Sequence, residues 1–265
     1  MTRDKPARSE DFDALYDLPD PRPYYQGLKP SGYAMPERAA DAVRVLADGR
    51  PSFQLLDFAC GYGAIGLLLR SRRRMADLYR RYDQPAEGDA APADRAYFAA
   101  DGASEERGWR IGGLDVAGRA LAYAQAVGAL DFGFCEDVLR APPSPSLSAF
   151  LRETDLIVES GAIGSLLAPA LPRLIAAAAP NRPGILYCPR PNVDAAGIAA
   201  ALEPLGYSVE PLGAPAAYRK PLSEAERRAV AEAGAAHGRS PAEIFDRSGF
   251  MRVQMRLARP HSGAV

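Results

Sequence analysis

Five short apolar runs, each followed by a stretch with helical spacing, constrain the fold of this chain more than any other feature of its sequence. The runs span residues 53–58, 110–116, 132–135, 155–159 and 184–188; the segments 64–70, 120–127, 147–152, 166–179 and 195–205 follow them in turn. The first run, Phe53-Gln54-Leu55-Leu56-Asp57-Phe58, leads straight into glycine-rich sequence, the pattern of a buried strand feeding a turn. Strands alternating with helices predict a parallel sheet covered by helices on both faces, a doubly wound α/β architecture. Two further strands are expected at 207–212 and 250–257. A polar segment, 214–249, joins them and carries a helix near 223–236, where Ser223 and Glu226 have capping-box spacing.

The flanking regions read differently. Residues 1–10 are polar and expected to fray. Pro19, Pro21 and Pro23 argue against a regular helix over 15–25, yet Tyr16, Tyr24 and Tyr25 suggest that this segment packs on something. Residues 1–35 are therefore assigned to an N-terminal arm or lid, 36–260 to the main domain and 261–265 to a tail. A helix is expected at 36–46. Between the first and second strands lies an insertion at about 71–109. It opens with a basic helix over 70–82, carrying Arg70, Arg72, Arg73, Arg74, Arg80 and Arg81. A solvated face explains that helix better than an anion or RNA contact. Residues 84–95 read as an exposed loop and 94–100 as a short helix.

With 48% hydrophobic residues over 265 positions, the chain can bury one sizeable core. A net charge of -1 supplies none of the basic excess of a nucleic-acid binder, and no nucleic-acid partner is expected. Cys60, Cys135 and Cys188 fit no zinc spacing, and His237 and His261 are the only histidines, so no metal is expected. The cysteines read as small apolar side chains in strands or tight turns, without disulfides, which suits a cytoplasmic location. No signal peptide is apparent. The longest apolar run, around 166–180, is broken by Pro169, Pro172 and Arg173 and falls short of the ~20 residues of a membrane helix, so a soluble chain is expected.

In an open parallel sheet, ligands bind beyond the carboxyl ends of the strands. Each such place here carries an acid or a glycine cluster: Asp57 with Gly61-Tyr62-Gly63-Ala64-Ile65-Gly66, then Asp115, then Glu136-Asp137, then Glu159-Ser160-Gly161. The glycine loop matches G-x-G-x-x-G, which alone admits a dinucleotide or a plain tight turn. Asp57 beside it would repel a pyrophosphate at the helix N-terminus. It would suit S-adenosylmethionine (SAM), which has no phosphate but carries an α-ammonium group. Asp115 can accept hydrogen bonds from both hydroxyls of a ribose; as a helix N-cap it would have a purely structural role. It lies about 50 residues beyond Gly66 rather than the ~20 of a dinucleotide fold. Asp137 can accept from an adenine amino group while the Val138 backbone donates; the alternative is a turn. Ser160 can bind substrate or the amino-acid end of the cofactor, or simply form a turn.

These segments resemble class I SAM-dependent methyltransferases over about residues 36–257. The resemblance rests on 55–63 as the first motif, Gly113-Leu114-Asp115-Val116 as the second, Glu136-Asp137-Val138 as the third and 155–160 as the fourth. The arm and the long insertion are similar to a bacterial methyltransferase-like subgroup. The resemblance implies a Rossmann-like sheet of about seven strands, mostly parallel with an antiparallel last strand. It implies Asp57 and Ala59 near the methionine moiety, close approach at Gly61 and Gly63, Asp115 with Val116 at the ribose, and Asp137 with Val138 at adenine. The fourth motif lacks the Asn-Pro-Pro-Tyr pattern of amino-group methylating enzymes, which argues against nucleic-acid and protein-amide substrates.

The expected activity is methyl transfer to a small-molecule acceptor. One alternative is cyclisation of SAM itself, its α-amine attacking its γ-carbon to give azetidine-2-carboxylate and methylthioadenosine. A non-catalytic SAM-binding module is another. An NAD-dependent oxidoreductase is disfavoured by Asp57 and by the distance to Asp115. Candidate catalytic residues are Glu159, Ser160 and the tyrosines Tyr16, Tyr24 and Tyr25; Tyr25 is also a candidate cofactor contact, since aromatic faces favour a sulfonium cation.

Overall fold

The computed structural model describes residues 15–86, 88–100, 109–162 and 166–261. The expectations for residues 1–10 and for the tail after residue 261 lie outside the described residues, as do positions 101–108 of the insertion.

Seven strands form one sheet in the order β3-β2-β1-β4-β5-β7-β6. They are β1 (Phe53–Phe58), β2 (Trp109–Asp115), β3 (Phe132–Cys135), β4 (Leu156–Val158), β5 (Gly184–Tyr187), β6 (Tyr207–Ala217) and β7 (Arg252–Pro260). The first five are parallel, and β7 runs antiparallel to both β5 and β6. The fold is thus a Rossmann-like α/β sheet with an antiparallel last strand. Strand order reverses between β1 and β4, so the switch point lies beside the carboxyl end of β1.

Every residue of β1 is buried, because helices cover both faces. Side-chain alternation divides the core in two. Leu55, Val158, Leu186 and Leu257 pack on one face; Leu56, Ile157, Ile185 and Ala258, each a neighbour in sequence, pack on the other. Burying one such leucine or isoleucine contributes about 1.5–3 kcal/mol, so both faces are strongly specified.

The arm is more ordered than its prolines suggested. It forms helix α1 (Arg22–Leu28). Pro21 stands at the N-cap and Pro23 in the first turn, where a missing N–H removes no helical hydrogen bond. Helix α2 (Met35–Leu46) follows, and α3 (Ala64–Arg70) follows β1. The expected continuous helix over 70–82 is broken. Ser71 is extended, its hydroxyl donating to the Leu67 carbonyl at 2.7 Å, and a separate α4 (Met75–Tyr82) begins where the Asp77 carboxylate accepts from the Arg74 amide at 2.9 Å. Most of its arginines are paired within the protein: Arg70 with Asp131, Arg74 with Glu37, Arg80 with Asp77 and Arg81 with Asp94.

The expected exposed loop at 84–95 is also corrected. Helix α5 (Ala90–Ala99) starts there, with Asp94 fully buried. Asp94 accepts from Arg22 at 2.9 and 3.2 Å, from Arg81 at 2.6 Å and from the Tyr123 hydroxyl at 2.7 Å. This cluster ties the arm to α4, α5 and helix α6 (Gly118–Ala126). The remaining helices are α7 (Pro145–Leu151), α8 (Ala168–Ala178), α9 (Ala195–Leu202), α10 (Glu224–Ala236) and α11 (Pro241–Ile244). Cys60 and Cys188 are buried as expected, but Cys135 is exposed at the end of β3.

Asp94→Ala leaves two guanidinium groups without their shared carboxylate. Denaturant unfolding should show a loss of about 3–5 kcal/mol, as for other broken buried ion pairs. A loss under ~0.5 kcal/mol, typical of an exposed loop, would contradict this account.

Candidate functional site

The loop after β1 takes left-handed backbone at three positions: Ala59 (φ 55°), Gly61 (φ 52°) and Gly63 (φ 72°). For Ala59 this conformation costs about 1–2 kcal/mol. Its amide donates to the Leu114 carbonyl of β2 at 2.8 Å, which holds the turn in place. The glycines have distinct causes. A Cβ at Gly63 would stand 2.8 Å from the Ala129 side chain, and one at Gly66 would stand 2.2 Å from the Ala129 carbonyl oxygen. Those two allow α3 to pack against the turn after α6. A Cβ at Gly61 would instead meet the Tyr16 hydroxyl at 2.9 Å, so this glycine faces the arm across the mouth of the loop.

Three carboxylates gather at this edge. Asp115, at the end of β2, accepts from the Gly61 amide at 2.8 Å and the Tyr16 hydroxyl at 2.9 Å on Oδ2, and from the Ala117 amide at 3.0 Å on Oδ1. Glu159, just past β4, is 0% exposed and accepts from the amides of Gly161, Ala162 and Cys188. Burial pushes its carboxyl up, and the three amides oppose that shift. Asp57 is 2% exposed, and its Oδ2 has no hydrogen-bond partner among the described residues. Burial first, then the charges of Asp115 and Glu159, push its carboxyl well above the usual range. Among the described residues no ion pair to Asp57, Asp115 or Glu159 is formed. Arg190 offsets Glu159 at longer range, while the charges acting on Asp57 are acidic.

Tyrosines wall it. Tyr16 and Tyr24 meet edge to face with ring centroids 5.6 Å apart, and Tyr24 lies 5.2 Å from Tyr25 and 5.3 Å from Tyr62. Tyr25 is buried and stacks on Tyr82 at 4.4 Å, so it backs the wall from behind Tyr24. Tyr33 donates to the Ser160 carbonyl at 2.7 Å and contacts the Tyr218 ring at 5.3 Å. Burial raises the phenols of Tyr16, Tyr24, Tyr25 and Tyr33, which stay protonated at ordinary pH. The roles of Tyr33, Tyr62 and Tyr218 had no local signal in the sequence. Neither did Asp17, whose carboxylate accepts from the Arg119 and Ala120 amides at 2.8 and 3.2 Å and so caps α6.

The third motif lies beyond β3. Asp137 accepts from the Leu139 amide at 3.1 Å and pairs with Arg140 at 3.1 Å, a turn arrangement. Val138 is buried, and its carbonyl accepts from Arg173 at 2.7 Å. Val116 is 65% exposed beside Asp115, an apolar ledge at the open side of the loop. Of the expected site residues, Tyr16, Gly61 and Asp115 meet directly, and Asp57 and Glu159 are within electrostatic reach of one another. Ser160 joins the site through Tyr33. Gly164 lies outside the described residues.

Neither a family model nor a curated protein matches the sequence. Several solved structures are similar in chain path. The YcgJ protein from Bacillus subtilis is 12% identical, with 86% of this chain and 100% of that one covered and a TM-score of 0.47. A ribosomal protein L11 methylase from Lactobacillus delbrueckii is 12% identical over 87% of this chain and 83% of that one, with a TM-score of 0.44. A precorrin-6y C5,15-methyltransferase from Geobacter metallireducens is 11% identical over 85% and 87%, with a TM-score of 0.39. The architecture described above stands on this chain's own strand order.

Asp57 is a buried acid whose ionisation costs the fold. Its folded pKa lies above the unfolded value, so its ionisation destabilises the fold increasingly as pH rises from the ordinary carboxylate range toward neutrality. Asp57→Asn should raise stability at pH 7, by the order of 1 kcal/mol. The gain should vanish as pH falls to about 4, near the unfolded pKa of aspartate. Thermal melts across that range check the sign; a variant less stable at pH 7 would contradict it.

Proposed function

We propose that this chain binds SAM at the carboxyl ends of β1 and β2 and transfers its methyl group to a small-molecule acceptor. The observation that carries the reading is the buried Asp57 carboxylate, with one unpartnered oxygen behind the glycine loop and, among the described residues, no ion pair. Such a group calls for a cationic ligand. The pyrophosphate of a dinucleotide would meet the charges of Asp57 and Asp115 at close range, whereas an α-ammonium group would complete the empty coordination of Asp57. The tyrosine wall suits a sulfonium.

In this reading Asp57 and Ala59 hold the amino-acid end and the Gly61 and Gly63 backbone allows close approach. Asp115 holds the ribose, with Val116 beside it and Asp137 and Val138 at the adenine. Tyr16 already occupies Asp115 Oδ2, so ribose binding requires that hydroxyl to yield or share the oxygen. When bound, SAM supplies a methyl carbon made electrophilic by its sulfonium. The chain's own part is to align an acceptor and exclude water, an effect of several kcal/mol. The internal pairing of the arginines around α4 is consistent with a small acceptor rather than RNA.

A second reading is favoured by the scarcity of bases. All of Glu159's neighbours in hydrogen bonding are backbone amides, the tyrosines stay protonated, and His237 and His261 are exposed far along the chain. Asp57 is the carboxylate with a free oxygen and a raised proton affinity, suited to take a proton from an amine held against it. That fits closure of SAM on its own α-amine, which needs no second substrate.

Incubating purified protein with SAM alone and analysing products by mass spectrometry separates the readings. No turnover until an acceptor extract is added, followed by adenosylhomocysteine, supports transfer. Methylthioadenosine with azetidine-2-carboxylate above the uncatalysed background sinks transfer and establishes cyclisation. Binding with no product under either condition leaves a SAM-binding module. Asp115→Ala should weaken SAM binding at least tenfold by calorimetry, about 1.4 kcal/mol. Unchanged affinity would remove the ribose role, and no binding by the unaltered chain would remove the whole proposal.

A further inference from the structure

A second feature at the same end of the sheet has the opposite electrostatic character. A cleft of about 300 Å³ opens between the β6–β7 hairpin and the α10–α11 segment, and Arg239, Arg252, Arg256, Gln254, Glu243 and Pro189 are among the residues that line it. Arg252, Gln254 and Arg256 alternate along β7 and so share one face of the strand. Arg256 stands opposite Tyr187, the last residue of β5. Because β7 is antiparallel, Arg252 lies beyond the carboxyl edge of the parallel strands. Pro189 directly follows Cys188, whose amide bonds to Glu159. The cleft therefore borders the edge that carries the acidic site.

The arginines here outnumber the acids. Arg252 donates to the Ala242 carbonyl at 3.0 Å, which fixes its guanidinium against α11. Among the described residues, neither Arg239 nor Arg256 forms an ion pair or a side-chain hydrogen bond. Neighbouring arginines are treated otherwise: Arg259 pairs with Glu210 at 2.8 Å, and Arg219 forks onto both oxygens of Glu226. Glu243 is the one acid lining the cleft, and its Oε2 already accepts from the Ser240 amide at 2.8 Å and hydroxyl at 2.7 Å. Three guanidinium groups face the committed Glu243 carboxylate and, at longer range, Asp194, which still leaves an excess of positive charge in a half-buried space. Burial and the charge of Arg256 lower the Arg239 pKa, yet a guanidinium keeps its proton at ordinary pH. Such a set is stabilised by an anion that brings several oxygens at once, because guanidinium forks match phosphate and carboxylate geometry.

We propose that this cleft binds the oxyanion group, phosphate or carboxylate, of a small-molecule ligand through Arg239, Arg252 and Arg256. The enclosed volume and the pairing of arginines elsewhere fit one compact anionic group better than an extended nucleic-acid backbone. The proposal does not depend on the SAM reading, and its test needs no SAM.

The test is thermal unfolding and calorimetry of the full chain with inorganic phosphate, against sodium chloride at matched ionic strength. The unaltered protein should show a saturable rise in Tm with phosphate that chloride does not give. Arg256→Gln should weaken phosphate binding about tenfold, and Arg239→Gln with Arg256→Gln should abolish it. Without phosphate, both variants should be at least as stable as the parent, because removing one of two unpaired like charges relieves repulsion; a merely structural role would predict the reverse. Should either glutamine variant fail to fold, Arg256→Lys keeps the charge but loses the fork, and several-fold weaker binding is expected. A phosphate monoester and a dicarboxylate, titrated in parallel, distinguish the sources, and tighter binding by either supports the proposal. A phosphate effect no larger than that of chloride overturns it. So does a shift retained in the double variant, or binding confined to an RNA oligonucleotide.

Discussion

The Asp115 carboxylate joins three segments at one point. The Gly61 amide belongs to the loop after β1, the Ala117 amide to the start of α6, and the Tyr16 hydroxyl to the N-terminal arm. Hydrogen bonds to a charged acceptor contribute about 1.5–3 kcal/mol each, so this carboxylate sets the shape of the loop and the seat of the arm together. It also couples them. Any ligand hydroxyl that takes Oδ2 competes with Tyr16, so ligand occupancy and the position of Tyr16 are one equilibrium. The adjustment is local, because the rest of the arm is held independently: Asp17 caps α6, the Leu18 amide donates to Tyr62 at 2.9 Å, and Arg22 is clamped on Asp94.

Charge is distributed unevenly along the carboxyl edge of the sheet. Among the described residues, Asp57, Asp115 and Glu159 cluster at the switch point without an ion pair, while Arg239 and Arg256 stand at the antiparallel end without one. Each arrangement destabilises the empty fold. Had the sequence been selected for stability alone, an exchange of one residue at either place would relieve the strain. Perturbed and unbalanced groups of this kind concentrate where a protein meets its ligand. Their signs suit opposite ligand charges, the two proposals made above. A single molecule with both charges, or two molecules brought to one edge, would satisfy both places.

The sequence and the structure agree most closely where local pattern and burial coincide. The bounds of β1 and β3 were legible from short apolar runs, and the placement of Asp57 and Asp115 at the carboxyl ends of β1 and β2 followed from the same runs. The misreadings share a cause. The prolines of the arm were weighed as helix breakers, although Pro21 and Pro23 occupy the first turn, where proline is tolerated. The polar, alanine-rich stretch around Asp94 resembled solvent-exposed loop, and its burial depends on Arg22, Arg81 and Tyr123, partners set by the tertiary fold. Tyr33 and Ser160 meet across 127 residues of sequence. Contacts of that range depend on the finished topology and leave no periodic trace.

The glycine loop illustrates how a motif can be right for more than one reason. Two of its three glycines, Gly63 and Gly66, exist to let α3 approach the Ala129 turn, and they would be required with no ligand at all. Gly61 alone faces outward, toward Tyr16. The motif therefore identifies a tightly packed strand-to-helix turn more securely than it identifies a cofactor. What narrows the chemistry lies outside the motif's own pattern. Asp57 precedes it, buried with an oxygen unsatisfied, in a place where a phosphate-binding turn would carry no acid. A turn of this shape can serve an anion or a cation; the charge set behind it determines which.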